Sequence, residues 1–162
     1  MTHSDHHPTI SWKAAIYAGL IAGLVFIVME MVLVALVGGG SPLGPPAMIS
    51  AIVLGPEVLP EQGTPPEFNM SVFLTGQIVH FVLSVILAVI FVLIVSRMAL
   101  GTGALIGIGV VYGIVVYLVN FYGMTAIYPW FAMARNAITF SSHIVFGAVL
   151  GWSYGALRVG RA

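Results

Sequence analysis

Four stretches of the chain, 14–37, 71–95, 99–122 and 137–157, are almost continuously apolar, and each carries one strongly polar side chain in line with a row of small residues. In the first, Gly19 and Gly23 form a GxxxG pair and Glu30 follows seven residues on. In the third, Gly109 and Gly113 form a second pair and Asn120 follows at the same interval. The second stretch runs His80, Ser84, Ala88 at steps of four, and the fourth runs His143, Gly147, Gly151, Gly155. Steps of four and seven keep residues on one helix face. Small residues mark the face where membrane helices approach closely, so the polar groups are expected to point at neighbouring helices rather than at lipid.

About 20 mostly apolar residues span a bilayer as a helix, and each stretch is long enough. Continuous apolar runs without period-two alternation speak against a β-barrel. The first run is too long for a signal-peptide core and lacks a small-x-small cleavage site, which reads as an uncleaved anchor. The expected fold is therefore an all-α membrane protein of four transmembrane helices. Helices one and three share one spacing, and helices two and four share another. That predicts two hairpins forming a parallel pseudo-repeat about an axis along the membrane normal.

Composition agrees: 60% of the 162 residues are hydrophobic and 6% are charged, a balance foreign to soluble domains. Formal net charge is zero, so nothing attracts nucleic acid. The absence of cysteine removes disulfides, thiolate metal sites and cysteine nucleophiles. Lys13, Arg97, Arg158 and Arg161 fall on one side of the four runs, while the first outer loop holds Glu57, Glu61 and Glu67. The positive-inside rule then places both termini in the cytoplasm. Arg135, in the second outer loop, is the exception. Residues 1–13 read as a His-containing cytoplasmic tail, 14–157 as one transmembrane domain and 158–162 as a basic cytoplasmic tail.

The outer loop 38–70 holds seven of the nine prolines and cannot be one long helix. Its apolar middle, 47–54, suits either an interfacial segment or a short helix folded back over the bundle. The second outer loop, 122–136, is rich in aromatics and suits the headgroup level.

Counting from the inner basic residues at about 1.5 Å per residue puts Glu30, His80 and His143 roughly 22–26 Å up, in the outer part of a core about 30 Å thick. Asn120 comes slightly higher, and Arg135 is expected to cover this layer or pair with Glu30. Glu30, His80 and His143 have the donor atoms of a carboxylate-plus-two-imidazole metal site for Zn, Cu or Fe. The same groups suit proton transfer, and the two histidines suit axial ligation of haem b. The plainer alternative makes all of them structural, with interhelical contacts averaging about 0.6 kcal/mol. Outer methionines (Met29, Met31, Met48, Met70, Met124, Met133) favour Cu(I) or serve as ordinary apolar filling. The tail His3, His6 and His7 suits a divalent ion or simple solvation. No nucleophile–base–orienter set and no phosphate-binding glycine loop occurs, which predicts a protein that is not an enzyme.

Three segments, 38–48 (G-G-G-S-P-L-G-P-P-A-M), 117–135 (Y-L-V-N-F-Y-G-M-T-A-I-Y-P-W-F-A-M-A-R) and 143–154, resemble a family of small four-helix bacterial inner-membrane proteins. Some of its members carry an automatic sodium:proline symporter label. The resemblance covers most of the chain beyond residue 12, and Y-P-W-F-A-M-A-R is its most specific part. It implies the fold and an inner-membrane location. Symporters of that class use many more helices, broken at the midplane, so it implies no mechanism. Two functions remain open: a polar outer-leaflet site for a small cation, metal or cofactor that aids transport or insertion, or an accessory subunit of a larger membrane complex or homo-oligomer.

Overall fold

Short polar residues cap the starts of three helices, and glycines follow the ends of two. The Ser11 side chain accepts from the Ala14 N–H at 3.4 Å and opens α1, Trp12–Leu36. The run Gly38–Gly39–Gly40 follows its end. After a turn, Pro45 and Pro46 sit in the first turn of α2, Gly44–Leu54, where a missing N–H costs nothing. Gly55, at φ +93°, ends α2 in a conformation L side chains avoid, and Pro56 follows. Asn69 caps α3, Met70–Val95, by accepting from the Val72 N–H at 3.2 Å. α4, Thr102–Leu118, runs into a π-helical turn over Val119–Gly123 and then short 3₁₀ turns at Met124–Ala126 and Pro129–Ala134. Asn136 accepts from the Thr139 N–H at 2.9 Å at the start of α5, Ala137–Val159. This computed structural model describes residues 10–61 and 63–159, and no strand occurs among the described residues. The histidines of the N-terminal tail and Arg161 lie outside them.

Among the described residues, three helices are long and apolar enough to cross a membrane: α1, α3, and α4 with its continuation to Ala126. These mark the chain as membrane-embedded. α5 has 23 residues but spends five positions on Thr139, Ser141, Ser142, His143 and Ser153. It is correspondingly less apolar.

The long helices form a curved row in the order α4, α5, α1, α3, with α2 laid on the outside of α3. Glycines set the approach within this row. A Cβ on Gly147 would collide with the Gly109 carbonyl, one on Gly113 with the His143 carbonyl, and one on Gly151 with the Leu105 carbonyl. On the other side, a Cβ on Gly19 would lie 2.8 Å from the Ala88 Cβ. α2 docks the same way, its Pro46 carbonyl occupying the space a side chain at Gly76 would need. The buried apolar core runs through α1, α3, α4 and α5 at the end holding Ala14, Val95, Leu105 and Tyr154. A second, aromatic cluster of Tyr117, Phe121 and Phe131 caps the other end. The two ends of the row, α3 and α4, barely touch each other. Where they do, Tyr112 donates its hydroxyl to the Leu87 carbonyl at 2.8 Å and packs on Phe91.

Candidate functional site

Above that Tyr112–Leu87 bridge the row encloses a cavity of about 240 Å³. α1 contributes Phe26, α3 contributes His80, Leu83, Ser84 and Leu87, and α5 contributes His143 and Phe146. Val116 of α4 and Asn120 and Phe121 of the π-helical turn form the facing wall. Met48, Ile49 and Ile52 of α2 and Met124, Tyr128 and Phe131 of the aromatic loop close it over. The loop and α2 are joined directly, since the Trp130 indole donates to the Met48 carbonyl at 3.2 Å. An apolar cavity with a few convergent polar groups is the usual form of a small-molecule site.

Both histidines are held by backbone. His80 Nε2 lies 2.8 Å from the Gly23 carbonyl. A carbonyl can only accept, so this nitrogen carries the proton. The contact depends on Gly23 being glycine, because a Cβ there would lie 2.7 Å from Ser84 Oγ. Ser84 donates to the His80 carbonyl at 2.9 Å. His143 Nδ1 lies 2.8 Å from the Thr139 carbonyl and is likewise the donor. Thus His80 Nδ1 and His143 Nε2 are left with lone pairs, and neither has a hydrogen-bond partner among the described residues. Neither is sealed in protein: the fully buried side-chain nitrogens and oxygens lacking partners among the described residues are Glu30 Oε2, Gln77 Oε1 and Ser153 Oγ. One phenyl ring touches both imidazoles. Phe26 stacks on His80 at 5.4 Å and meets His143 edge-on at 4.8 Å, centroid to centroid. Tyr117 and Phe121 cover His143 from the other side.

Glu30 stands apart from this cavity. It is buried, and its Oε1 accepts from the Thr139 hydroxyl at 2.6 Å. Thr139 therefore touches both Glu30, through its hydroxyl, and His143, through its carbonyl. Glu30 and the His143 imidazole meet through this threonine, and among the described residues no three His, Cys, Asp or Glu side chains gather as a metal would need. Arg135 does not reach Glu30 either. Its Nε donates to the Phe121 carbonyl at 2.6 Å, its Nη2 to Thr125 Oγ1 at 3.0 Å, and its guanidinium lies 4.5 Å from the Tyr122 ring centre. The arginine ties the aromatic loop to the π-helical turn that presents Asn120. Turns of this kind recur at functional positions because the extra residue re-aims a side chain.

The sequence pattern brought out His80, His143 and Asn120 at the cavity and Ser84 only as a small residue. It missed Thr139, whose signal was its position four before His143, and Phe26, which carried none. Compared with family models, with curated proteins and with solved structures, the chain matches none of them.

Proposed function

We propose that this is a multi-pass inner-membrane protein whose outer-half cavity binds a small, membrane-soluble molecule. The observation that carries the reading is the pair of imidazoles on α3 and α5, each fixed by a backbone carbonyl, each with a free lone pair, and both lining one apolar cavity. Polar groups inside a membrane are costly and are retained for use. Backbone anchoring gives these two the fixed orientation that a recognition site requires. In this reading α5 is the fourth span, tolerating its hydroxyls because they face protein, and the basic residues place both termini in the cytoplasm. The matched contacts of Gly19 with the Ser84 carbonyl and of Gly109 with the Gly147 carbonyl support the two-hairpin pseudo-repeat. A metal, haem or cation at the same level would use the same two lone pairs. It would lack Glu30 as a ligand, since among the described residues that carboxyl does not gather with the two imidazoles.

Mass spectrometry of the organic extract of protein purified into lipid nanodiscs tests the proposal. A small molecule should be retained at near-stoichiometric amount, and Leu83→Trp, filling the cavity from its lipid-exposed rim, should lose it. An extract indistinguishable from the surrounding lipid in both proteins would sink the binding function and favour the accessory-subunit role.

A further inference from the structure

Resting on that reading, the ligand's chemistry follows from which hydrogen-bonding capacity the site has left over. The N–H of His80 is spent on Gly23 and that of His143 on Thr139. The Ser84 hydroxyl proton is spent on the His80 carbonyl. What remains at the two rings is one imidazole lone pair each, beside the lone pairs of Ser84 Oγ, while the Asn120 amide and the Tyr128 hydroxyl can act either way. At the imidazoles the site is an acceptor site. There a ligand offering only carbonyl or ether oxygens would set lone pair against lone pair, with a buried acceptor left unpaired on each side. A ligand offering hydroxyl protons would satisfy both rings.

Size and walls narrow the class further. The cavity, about 240 Å³, is smaller than the roughly 300–1,000 Å³ typical of drug-sized ligands. It takes a single ring and leaves any chain outside. Phe26, Phe121, Phe131 and Phe146 provide aromatic faces and edges for such a ring. The route in is lateral. α2 and the aromatic loop, joined by the Trp130–Met48 hydrogen bond, cover the outer end, and Tyr112 on Leu87 closes the inner end. The flank between α3 and α4 is where these helices barely meet, and there Leu83 is both 41% exposed and part of the cavity wall. In a bilayer that flank faces acyl chains.

We propose that the cavity binds the hydroxylated ring of a lipid-soluble phenol or hydroquinone, in preference to its quinone or ether form, and that the ring enters sideways from the bilayer between α3 and α4. The test uses 2-decyl-1,4-hydroquinone kept under argon, the corresponding quinone, and the hydroquinone dimethyl ether. Each is equilibrated with protein in nanodiscs, and the probe retained is measured by mass spectrometry against empty nanodiscs. The hydroquinone should be retained at least tenfold more tightly than the ether or the quinone. His143→Phe should erase the difference, with His80→Phe as the second variant should the first fail to fold. Leu83→Trp should slow loading severalfold. Equal retention of hydroquinone and ether overturns the donor assignment while leaving a ligand-binding cavity in place. Unchanged loading of Leu83→Trp overturns the lateral route. Retention of none of the three above empty nanodiscs overturns the inference, and the extract of the untreated protein then decides separately whether the cavity binds anything.

Discussion

α4 has two neighbours along the bundle and meets them in opposite ways. Against α5 it lays Gly109 and Gly113 on Gly147 and the His143 carbonyl, backbone on backbone, with no room for a Cβ. Toward α3 it reaches across with one large side chain, Tyr112, whose ring packs on Phe91 and whose hydroxyl finds the Leu87 carbonyl. The first seam is close-packed from Gly113 on His143 down to Leu105 on Gly151. The second is a strut with space above it, and that space is the cavity. Small residues bring helices together in a membrane, where hydrophobicity gives no preference for protein over lipid. A helix whose Gly109–Gly113 stripe faces one neighbour is therefore drawn to that neighbour and stands off from the other. The site exists because the glycine stripe of α4 faces α5 and not α3.

Breaking the closed seam should have the largest effect. Gly147→Leu places a side chain where the Gly109 carbonyl lies, and it should destabilise the bundle by about 1–3 kcal/mol or more. Gly107→Leu on the same α4 is the control. A Cβ there meets nothing within 4 Å, so its change should stay within about 0.5 kcal/mol. Thermal unfolding in detergent measures both, and similar melting for the two variants would show that the seam is not close-packed.

Thr139 links that seam to the interior through Glu30. Thr139→Val leaves Glu30 Oε1 without its donor, and a buried acceptor stripped of its partner costs about 1–3 kcal/mol. Replacing both partners, Glu30→Leu with Thr139→Val, should recover most of that loss, because two apolar groups leave nothing unpaired. A double variant as unstable as the sum of the singles would mean the hydrogen bond is not the relevant contact.

The strut should be weaker. Tyr112→Phe removes one hydrogen bond and keeps the ring, for a loss of about 0.5–1.5 kcal/mol. It should also speed entry of any cavity ligand by loosening the α3–α4 flank. Denaturant titration and a loading time course check the two parts. The smallest expected effect is a null one. Arg135 is engaged by Phe121 and Thr125 and Glu30 by Thr139. Glu30→Gln and Arg135→Gln should then be additive within about 0.5 kcal/mol, whereas a coupling of several times that size would restore a direct pair between them.

Much of this was legible from periodicity alone. Apolar runs of membrane-spanning length gave helices, and steps of four placed Gly109, Gly113, Gly147 and Gly151 on contact faces. The histidine rows likewise pointed inward. These are properties of single helices, set by 3.6 residues per turn, and a sequence states them directly. The polarity of α5 was harder to weigh. Its hydroxyls lower its apolar character, yet Thr139, Ser142 and Ser153 are all buried against protein.

Partnership among the polar groups was decided elsewhere. Depth counting put Glu30, His80, His143 and Asn120 in one layer with Arg135 over it, and from there a carboxylate with two imidazoles and a carboxylate with an arginine were both consistent pairings. Only the packed bundle shows Thr139 taking the carboxyl, Gly23 taking His80, and the loop taking Arg135. The sequence by itself determined which face of each helix is small and polar, because the helical repeat is local. Tertiary structure alone decided which donor meets which acceptor and where α3 parts from α4. Those depend on how far two backbones approach, and a distance between helices is set jointly by the side chains of both.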